Sequence, residues 1–339
     1  MKLPNGIDLD QYKTRAKYLL KQIRNAQPDA LARLRQNHPE HKALLASGKI
    51  QLADAQLVIS RENGFPSWSK FKNDLLFRNA VQAMADGDIE RLQALLDQHP
   101  FLIRYKATIG EPYEWGYFSG ATLLNHIAGN PDIHPLPRNI MDITRLLLSR
   151  GFDKERAQYT IGLLLTSRQA SQAGVALPLI DLLVEAGADM DMENPKLLNS
   201  PILNVAPETA AALVDRGAKM SPRHAAGLGR LSELRQMLTH EVSQEELDLA
   251  LAFASIRGQK EAVDLLLSYG AKGDVLLSYG PPPRTAIHEA ANRGYEEIVK
   301  ALIAAGTNPQ VVEPHWNGTP AGWAKEGGYP ELAEWLNAQ

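Results

Sequence analysis

The sequence predicts an all-α fold in which helix pairs stack into a solenoid, and two observations carry this prediction. The first is the run TAIHEAANRGYEEIVKALIAAG, from Thr285 to Gly306, which predicts two antiparallel helices. Alanines give the first helix a thin face, and apolar residues at i, i+1, i+4 and i+5 give the second a buried stripe. Gly294 makes the turn between them, and Gly306 stands where a left-handed helix end is expected. A unit this thin cannot bury its own faces, so stacked neighbours are expected.

The second observation is that similar second helices recur along the chain. They are spaced by intervals scattered about a period of roughly 33 residues, and most of them end in glycine. Their ends are predicted at His99, Gly151, Gly187, Gly217, Glu241, Gly270, Gly306 and Gln339. Residues 77–339 are therefore expected to hold about eight helix-pair units. Several units are irregular, with insertions at 101–120, 130–138 and 169–178. The units resemble ankyrin repeats.

Residues 1–76 follow a different pattern, which predicts an N-terminal helical cap domain. LDQYKTRAKYLLKQIRNA is amphipathic, and Pro28 begins a second helix. The run LADAQLVISRENGFPSWSKFK resembles the N-terminal helical segment of a family of bacterial ankyrin-repeat proteins. That resemblance extends over most of the chain and implies no common activity. Two roles for residues 1–76 stay open: a cap that hides the apolar side of the first repeat, or a separate recognition module.

Composition restricts the classes of partner. Hydrophobic residues make up 44% of the chain and the net charge is −3, which gives no global attraction for nucleic acid or an anionic membrane. The absence of cysteine excludes disulfides, thiol catalysis and cysteine-ligated zinc. No apolar run resembles a secretory signal or a membrane span. We therefore expect a cytoplasmic protein whose partner is a protein or a small apolar ligand, and neither nucleic acid nor a membrane.

The search for catalytic motifs yields only isolated candidates. The sequence contains no nucleotide-binding loop, nucleophile elbow or zinc-protease helix, and it predicts no metal site and no cofactor. His288 takes the usual ankyrin histidine position and is expected to be structural. His126 follows Asn125, which stands at that position, so its ring is either a satisfied buried group or a general base. Tyr113 and Glu114 are the other candidate catalytic groups.

A concave binding groove is the first candidate surface. In ankyrin repeats, the two residues before the inter-helix glycine project from the first helix into the groove. The second of these residues is an arginine in three units: Arg168, Arg257 and Arg293. These guanidinium groups are expected either to capture carboxylates of a partner or merely to offset the helix dipole and solubilise the surface.

The insertion at 101–120 is the second candidate surface, because it concentrates aromatic residues. Its binding candidates are Tyr105, Tyr113, Trp115 and Tyr117, with Phe118 beside them. Large amphipathic rings form interface hot spots and pocket walls. The alternative is that the insertion packs its rings on the flank of the solenoid.

Two functions remain open at this point. The first is a non-enzymatic scaffold that recognises a protein partner through its concave groove and turn tips. The second is a cofactor-free cyclase or isomerase, in which the aromatic insertion roofs a pocket for a small apolar ligand. Such chemistry needs shape and one or two acid or base groups, so it would leave no sequence motif.

Overall fold

The computed structural model describes residues 9–110, 112–114, 116–129, 135–188, 198–203, 207–276 and 284–339, apart from the side chains of Tyr117 and Ser200. Helices dominate these residues, which contain no β-strand of more than one residue and include an isolated bridge between Ala107 and Ala121. The all-α prediction is confirmed. The chain divides into two compact units, Met1–Ala188 and Asp189–Gln339.

The first unit opens with four helices that share a core with the helix that follows them. The four are α1 (Leu9–Arg24), α2 (Pro28–Asn37), α3 (His41–Ser47) and α4 (Leu52–Glu62), and the helix that follows is α5 (Trp68–Ala85). Phe71 lies at the centre of this core, with the rings of Tyr12 and Phe65 centred 4.8 and 5.2 Å away. Ser67 caps α5 by accepting the Lys70 N–H. The predicted domain boundary after residue 76 falls within α5 and stays a prediction.

Three helix pairs complete the described part of the first unit. They are α5 with α6 (Ile89–Gln98), the 3-10 helix Leu123–Ala128 with α7 (Ile140–Ser149), and α8 (Lys154–Thr166) with α10 (Ala176–Glu185), the short α9 (Arg168–Gln172) lying between the last two. The insertion at 101–120 contains the 3-10 helix Gly116–Phe118 and the end of another, Pro100–Arg104. The insertion at 169–178 is largely taken up by α9 and the start of α10.

The second unit consists of five helix pairs in its described residues. They are α11 (Asn199–Leu203) with α12 (Pro207–Asp215), α13 (Pro222–Gly227) with α14 (Leu231–Met237), α15 (Gln244–Arg257) with α16 (Lys260–Ser268), α17 (Ala286–Asn292) with α18 (Glu296–Ala304), and α19 (Pro320–Glu326) with α20 (Pro330–Asn337). Successive first helices pack on each other, and α14, α16 and α18 form a second layer. Each second helix ends within a few residues of its predicted position.

Neighbouring pairs interlock at the inter-helix turns. Gly294 has a φ of +70°, and a Cβ at this position would lie 2.3 Å from the ring of Tyr329 in the following pair. The same relation holds between Gly258 and Tyr295, where the nearest ring atom would be 3.0 Å away. A residue with a Cβ is therefore disfavoured at these turns, both by the left-handed backbone and by the close approach of the next pair.

Candidate binding surface

A hydrogen-bonded loop joins α18 to α19 and forms the tip of the last repeat. The Glu313 carboxylate accepts the N–H groups of His315 at 2.7 Å, Trp316 at 2.9 Å and Gly318 at 3.0 Å. The Glu313 N–H in turn donates to the Gly318 carbonyl at 3.1 Å. Burial alone would raise the pKa of Glu313, but the three N–H bonds outweigh it and hold the pKa below its usual value. A charged carboxylate thus organises the loop.

This loop presents Trp316 to solvent. The side chain is 60% exposed, the largest exposed fraction of any tryptophan among the described residues. Its ring centre lies 4.6 Å from that of His315 and 5.9 Å from that of Trp323. Tryptophan held in one orientation loses little conformational entropy on binding, and such residues are enriched at interface hot spots.

His288 ties the loop to α17. Its Nδ1 lies 2.8 Å from the Thr285 hydroxyl and its Nε2 lies 3.0 Å from the Gly318 carbonyl oxygen. The ring also makes an edge contact with Trp323, with the centres 5.3 Å apart. Burial lowers the pKa of His288, although the hydrogen bond to Gly318 partly offsets this effect. The neutral ring is therefore a structural bridge between adjacent repeats, as the sequence predicts.

Two arginines share one buried carboxylate beside the loop. Glu289 on α17 is 1% exposed and forms ion pairs with Arg284, at 2.8 Å, and with Arg293. The Arg284 guanidinium also lies over the Trp323 ring, 5.6 Å from its centre. The cluster keeps a net positive charge. We call Arg284, Arg293, His315, Trp316 and Trp323 the C-terminal tip surface.

The predicted groove arginines lie in both units. Arg257 and Arg293 stand at the ends of α15 and α17, two helices that pack on each other. Arg293 is engaged by Glu289, whereas the Nε of Arg257 is buried without a hydrogen-bond partner among the described residues. Arg168 is exposed at the start of α9 and belongs to the first unit. That all three act on one partner stays a prediction.

The aromatic insertion packs against α5. Phe77 on this helix is fully buried, and its ring centre lies 5.3 Å from that of Tyr105 and 5.8 Å from that of Tyr113. Phe118 is also buried and lies beside His126, with the centres 6.0 Å apart. These rings form one aromatic cluster that joins the insertion to α5 and to His126. Trp115, by contrast, lies outside the described residues, as does the side chain of Tyr117.

An ion pair that the sequence reasoning missed fixes this insertion to α5. Arg78 Nε donates to the carboxylate of Asp74 at 2.6 Å, and its Nη2 donates to the Ile109 carbonyl at 2.9 Å. The same guanidinium lies 5.0 Å from the Tyr113 ring centre. Burial raises the pKa of Asp74, and the charge of Arg78 partly offsets this rise. The i, i+4 spacing of the two residues was the available signal.

The candidate catalytic groups belong to this packed cluster or to its edge. The Tyr113 hydroxyl lies 3.3 Å from His126 Nε2. Burial, helped by the charge of Arg78, lowers the pKa of His126 to about 3. A ring with this pKa is a weak base at neutral pH. Glu114 is exposed and accepts the Gly110 N–H at 2.8 Å. This arrangement gives the enzyme alternative no support.

The described residues offer few other features that suggest a function. They contain no cluster of three or more histidine and carboxylate side chains that could hold a metal ion. None of their helices combines the length and apolar character needed to cross a bilayer.

Comparison with known proteins supports the repeat architecture. Residues 284–313, which contain α17 and α18, match the ankyrin repeat family model. The chain is also 28% identical over 180 residues to the ankyrin repeat and KH domain-containing protein mask-1 of Caenorhabditis elegans. The similarity covers 50% of this chain but 7% of that protein. Together with the stacked helix pairs, these similarities support an all-α ankyrin-repeat solenoid as the fold.

Proposed function

We propose that this protein is a non-enzymatic scaffold that holds a protein partner, and that the C-terminal tip surface is a principal contact. Ankyrin repeats indicate a protein-interaction scaffold. The observation that carries the finer proposal is Trp316, which is 60% exposed on a loop fixed by three N–H bonds to Glu313. A preorganised aromatic side chain of this kind is suited to insertion into a partner.

The chemistry of the surface defines the partner it fits. Trp316 and Trp323 offer apolar contact area, so the partner supplies an apolar side chain. Arg284 and Arg293 share the single charge of Glu289, so the cluster favours a carboxylate on the partner. We assign Arg257, at the end of the neighbouring first helix α15, to the same contact, because α15 packs on α17. The turn tip and the groove then act on the same partner.

The organisation of the chain is part of the same proposal. Helices α1–α4 share a core with α5, which supports residues 1–76 as a cap domain on the repeats at 77–339. The resemblance of LADAQLVISRENGFPSWSKFK to the N-terminal segment of bacterial ankyrin-repeat proteins, together with the absence of cysteine, favours a bacterial protein that acts in the cytoplasm.

Site-specific photocrosslinking tests the position of the contact. A benzophenone amino acid replaces Trp316 in one variant and Tyr269 in the other, because Tyr269 is also an exposed aromatic residue, 48% exposed, but lies at the end of α16. We expect a discrete protein adduct from position 316 and none from position 269. Equal labelling at the two positions would show that the tip surface is not the contact.

A further inference from the structure

The N-terminal helices carry a groove that is separate from the tip surface. Residues of α1, α2 and α4 line an open groove with a volume of about 340 Å³. Tyr12 and Ile59 form its apolar floor, being 4% and 3% exposed, and Tyr18 forms an aromatic wall that is 62% exposed. This volume is within the range of sites that accept a few side chains or a small ligand.

One cation in this groove is available to a ligand. The Arg15 guanidinium lies over the Tyr12 ring, 5.1 Å from its centre. The Tyr12 ring is itself held by an edge contact with Phe71. No carboxylate of the described residues lies within ion-pair distance of Arg15. Arginine stacked on a ring keeps its N–H edge free for a carboxylate, which it binds with two parallel hydrogen bonds.

The other two charged residues that line the groove neutralise each other. Arg33 on α2 and Glu62 on α4 form a two-point ion pair, with both N–O distances at 2.7 Å. Because Arg33 offsets its charge, Glu62 does not repel an incoming anion strongly. Arg33 is engaged by Glu62 and is therefore not free to bind the carboxylate of a ligand. Among the described residues that line it, the groove thus offers one cationic site, flanked by aromatic and aliphatic surface. A nucleic-acid backbone, which needs a row of cations, fits it less well.

The net charge of residues 1–76 also favours an acidic ligand for this groove. Residues 1–76 contain 13 lysine and arginine and 7 aspartate and glutamate side chains, a net charge of +6, although the whole chain carries −3. The other residues therefore carry −9. This asymmetry steers acidic segments toward the N-terminal helices and away from the repeats.

We propose that this groove is a second recognition site, which binds an acidic peptide segment of a partner protein through Arg15, with an adjacent apolar side chain of the peptide seated against Tyr18 and Ile59. The site makes residues 1–76 a recognition module as well as a cap. It does not depend on the proposed contact at Trp316, because it lies in the other compact unit.

Fluorescence anisotropy with the full-length chain tests this site. The probes are labelled short peptides in which one glutamate stands beside phenylalanine or leucine, and matched peptides in which glutamine replaces that glutamate. We expect the glutamate peptides to bind at least about tenfold more tightly than the glutamine peptides, the effect of losing one charge-assisted hydrogen-bonded contact. Failure of every glutamate peptide to bind below about 1 mM would overturn the proposal.

Matched variants separate the groove from general electrostatics. Arg15→Gln should weaken binding about tenfold, and Arg15→Lys should restore only part of it because lysine lacks the planar fork. Lys17→Gln removes the same charge from the opposite side of α1 and should leave binding unchanged. All variants should keep the helical circular dichroism of the parent, since Arg15 and Lys17 are exposed.

Three results would contradict the proposal. Equal losses from Arg15→Gln and Lys17→Gln would mean that only the overall positive charge attracts the peptides. Tighter binding of a labelled oligouridine, with the same loss in Arg15→Gln, would assign the groove to nucleic acid. Displacement of the peptides by inorganic phosphate at equal concentration would assign it to a simple anion.

Discussion

Replacing Gly294 by alanine tests how neighbouring helix pairs stack. This glycine has a φ of +70°, a conformation that disfavours residues with a Cβ. The added methyl would lie 2.3 Å from the Tyr329 ring, which is 40% exposed and therefore has room to move outward. The substitution thus combines a backbone effect with displacement of one ring from the following pair.

The magnitude follows from these two effects. The left-handed backbone costs an alanine roughly 1–2 kcal/mol. Crowding in packed structure costs about 1–3 kcal/mol, and the lower part of that range applies because Tyr329 can swing away. We therefore expect Gly294→Ala to lower the free energy of unfolding by about 2–4 kcal/mol. Gly48→Ala isolates the backbone effect, since Gly48 has a φ of +67° and no neighbouring atom lies within 4 Å of the place that an added methyl would take.

A double-mutant cycle followed by urea unfolding separates the two effects. In a Tyr329→Ala background the crowding is absent, so Gly294→Ala should cost only about 1–2 kcal/mol, the value expected for the backbone alone. The stacking account would be refuted if Gly294→Ala cost the same with and without the Tyr329 ring. A cost no larger than that of Gly48→Ala would contradict it as well.

Three other substitutions probe the aromatic cluster around Phe77 and the C-terminal tip surface. The pKa of His126 is about 3 in the folded protein, against an ordinary value of 6.5, so unfolding takes up a proton between these two pH values. The stability that the neutral ring contributes is complete above pH 6.5 and falls as the pH drops, by at most about 1.4 kcal/mol per pH unit. His126→Gln should therefore reduce the difference between the free energies of unfolding measured with urea at pH 7 and at pH 5. Arg78→Met leaves the buried Asp74 carboxyl unpaired and should cost about 3–5 kcal/mol in thermal unfolding, with recovery when Asp74→Leu is added. Glu313→Gln should lower the fluorescence anisotropy of Trp316 while leaving the helical circular dichroism unchanged, because a neutral amide holds the loop N–H groups less strongly; an unaltered anisotropy would mean that the loop is fixed by other contacts.

The helix pairs could be predicted because their signals are local. The glycine after most second helices and the apolar stripe before it stand close together in sequence, as from Ile298 to Gly306. The tip surface could not be predicted in the same way. The exposure of Trp316 depends on Glu313 accepting N–H groups from the loop, and the contact of His288 with Gly318 joins residues that are 30 positions apart.

Two charged residues show where the sequence reasoning was incomplete. Arg293 was predicted as a contact for a partner, yet Glu289 stands four residues earlier on the same helix face and engages it in the structure. That spacing was visible in the sequence. Arg78 also has an i−4 partner, but its bond to the Ile109 carbonyl depends on how the insertion folds back on α5. The local part of each site was accessible from sequence, and the tertiary part was not.

The affinity of the partner captured at position 316 tests the central claim most directly. Isothermal titration calorimetry would compare the parent chain with Trp316→Ala and with the matched surface change Tyr269→Ala. If the tip surface holds the partner, Trp316→Ala should weaken binding by at least about 2 kcal/mol, the loss that defines a hot spot, and Tyr269→Ala should leave the affinity unchanged. An unchanged affinity for Trp316→Ala would contradict the claim that this chain is a scaffold acting through its C-terminal tip.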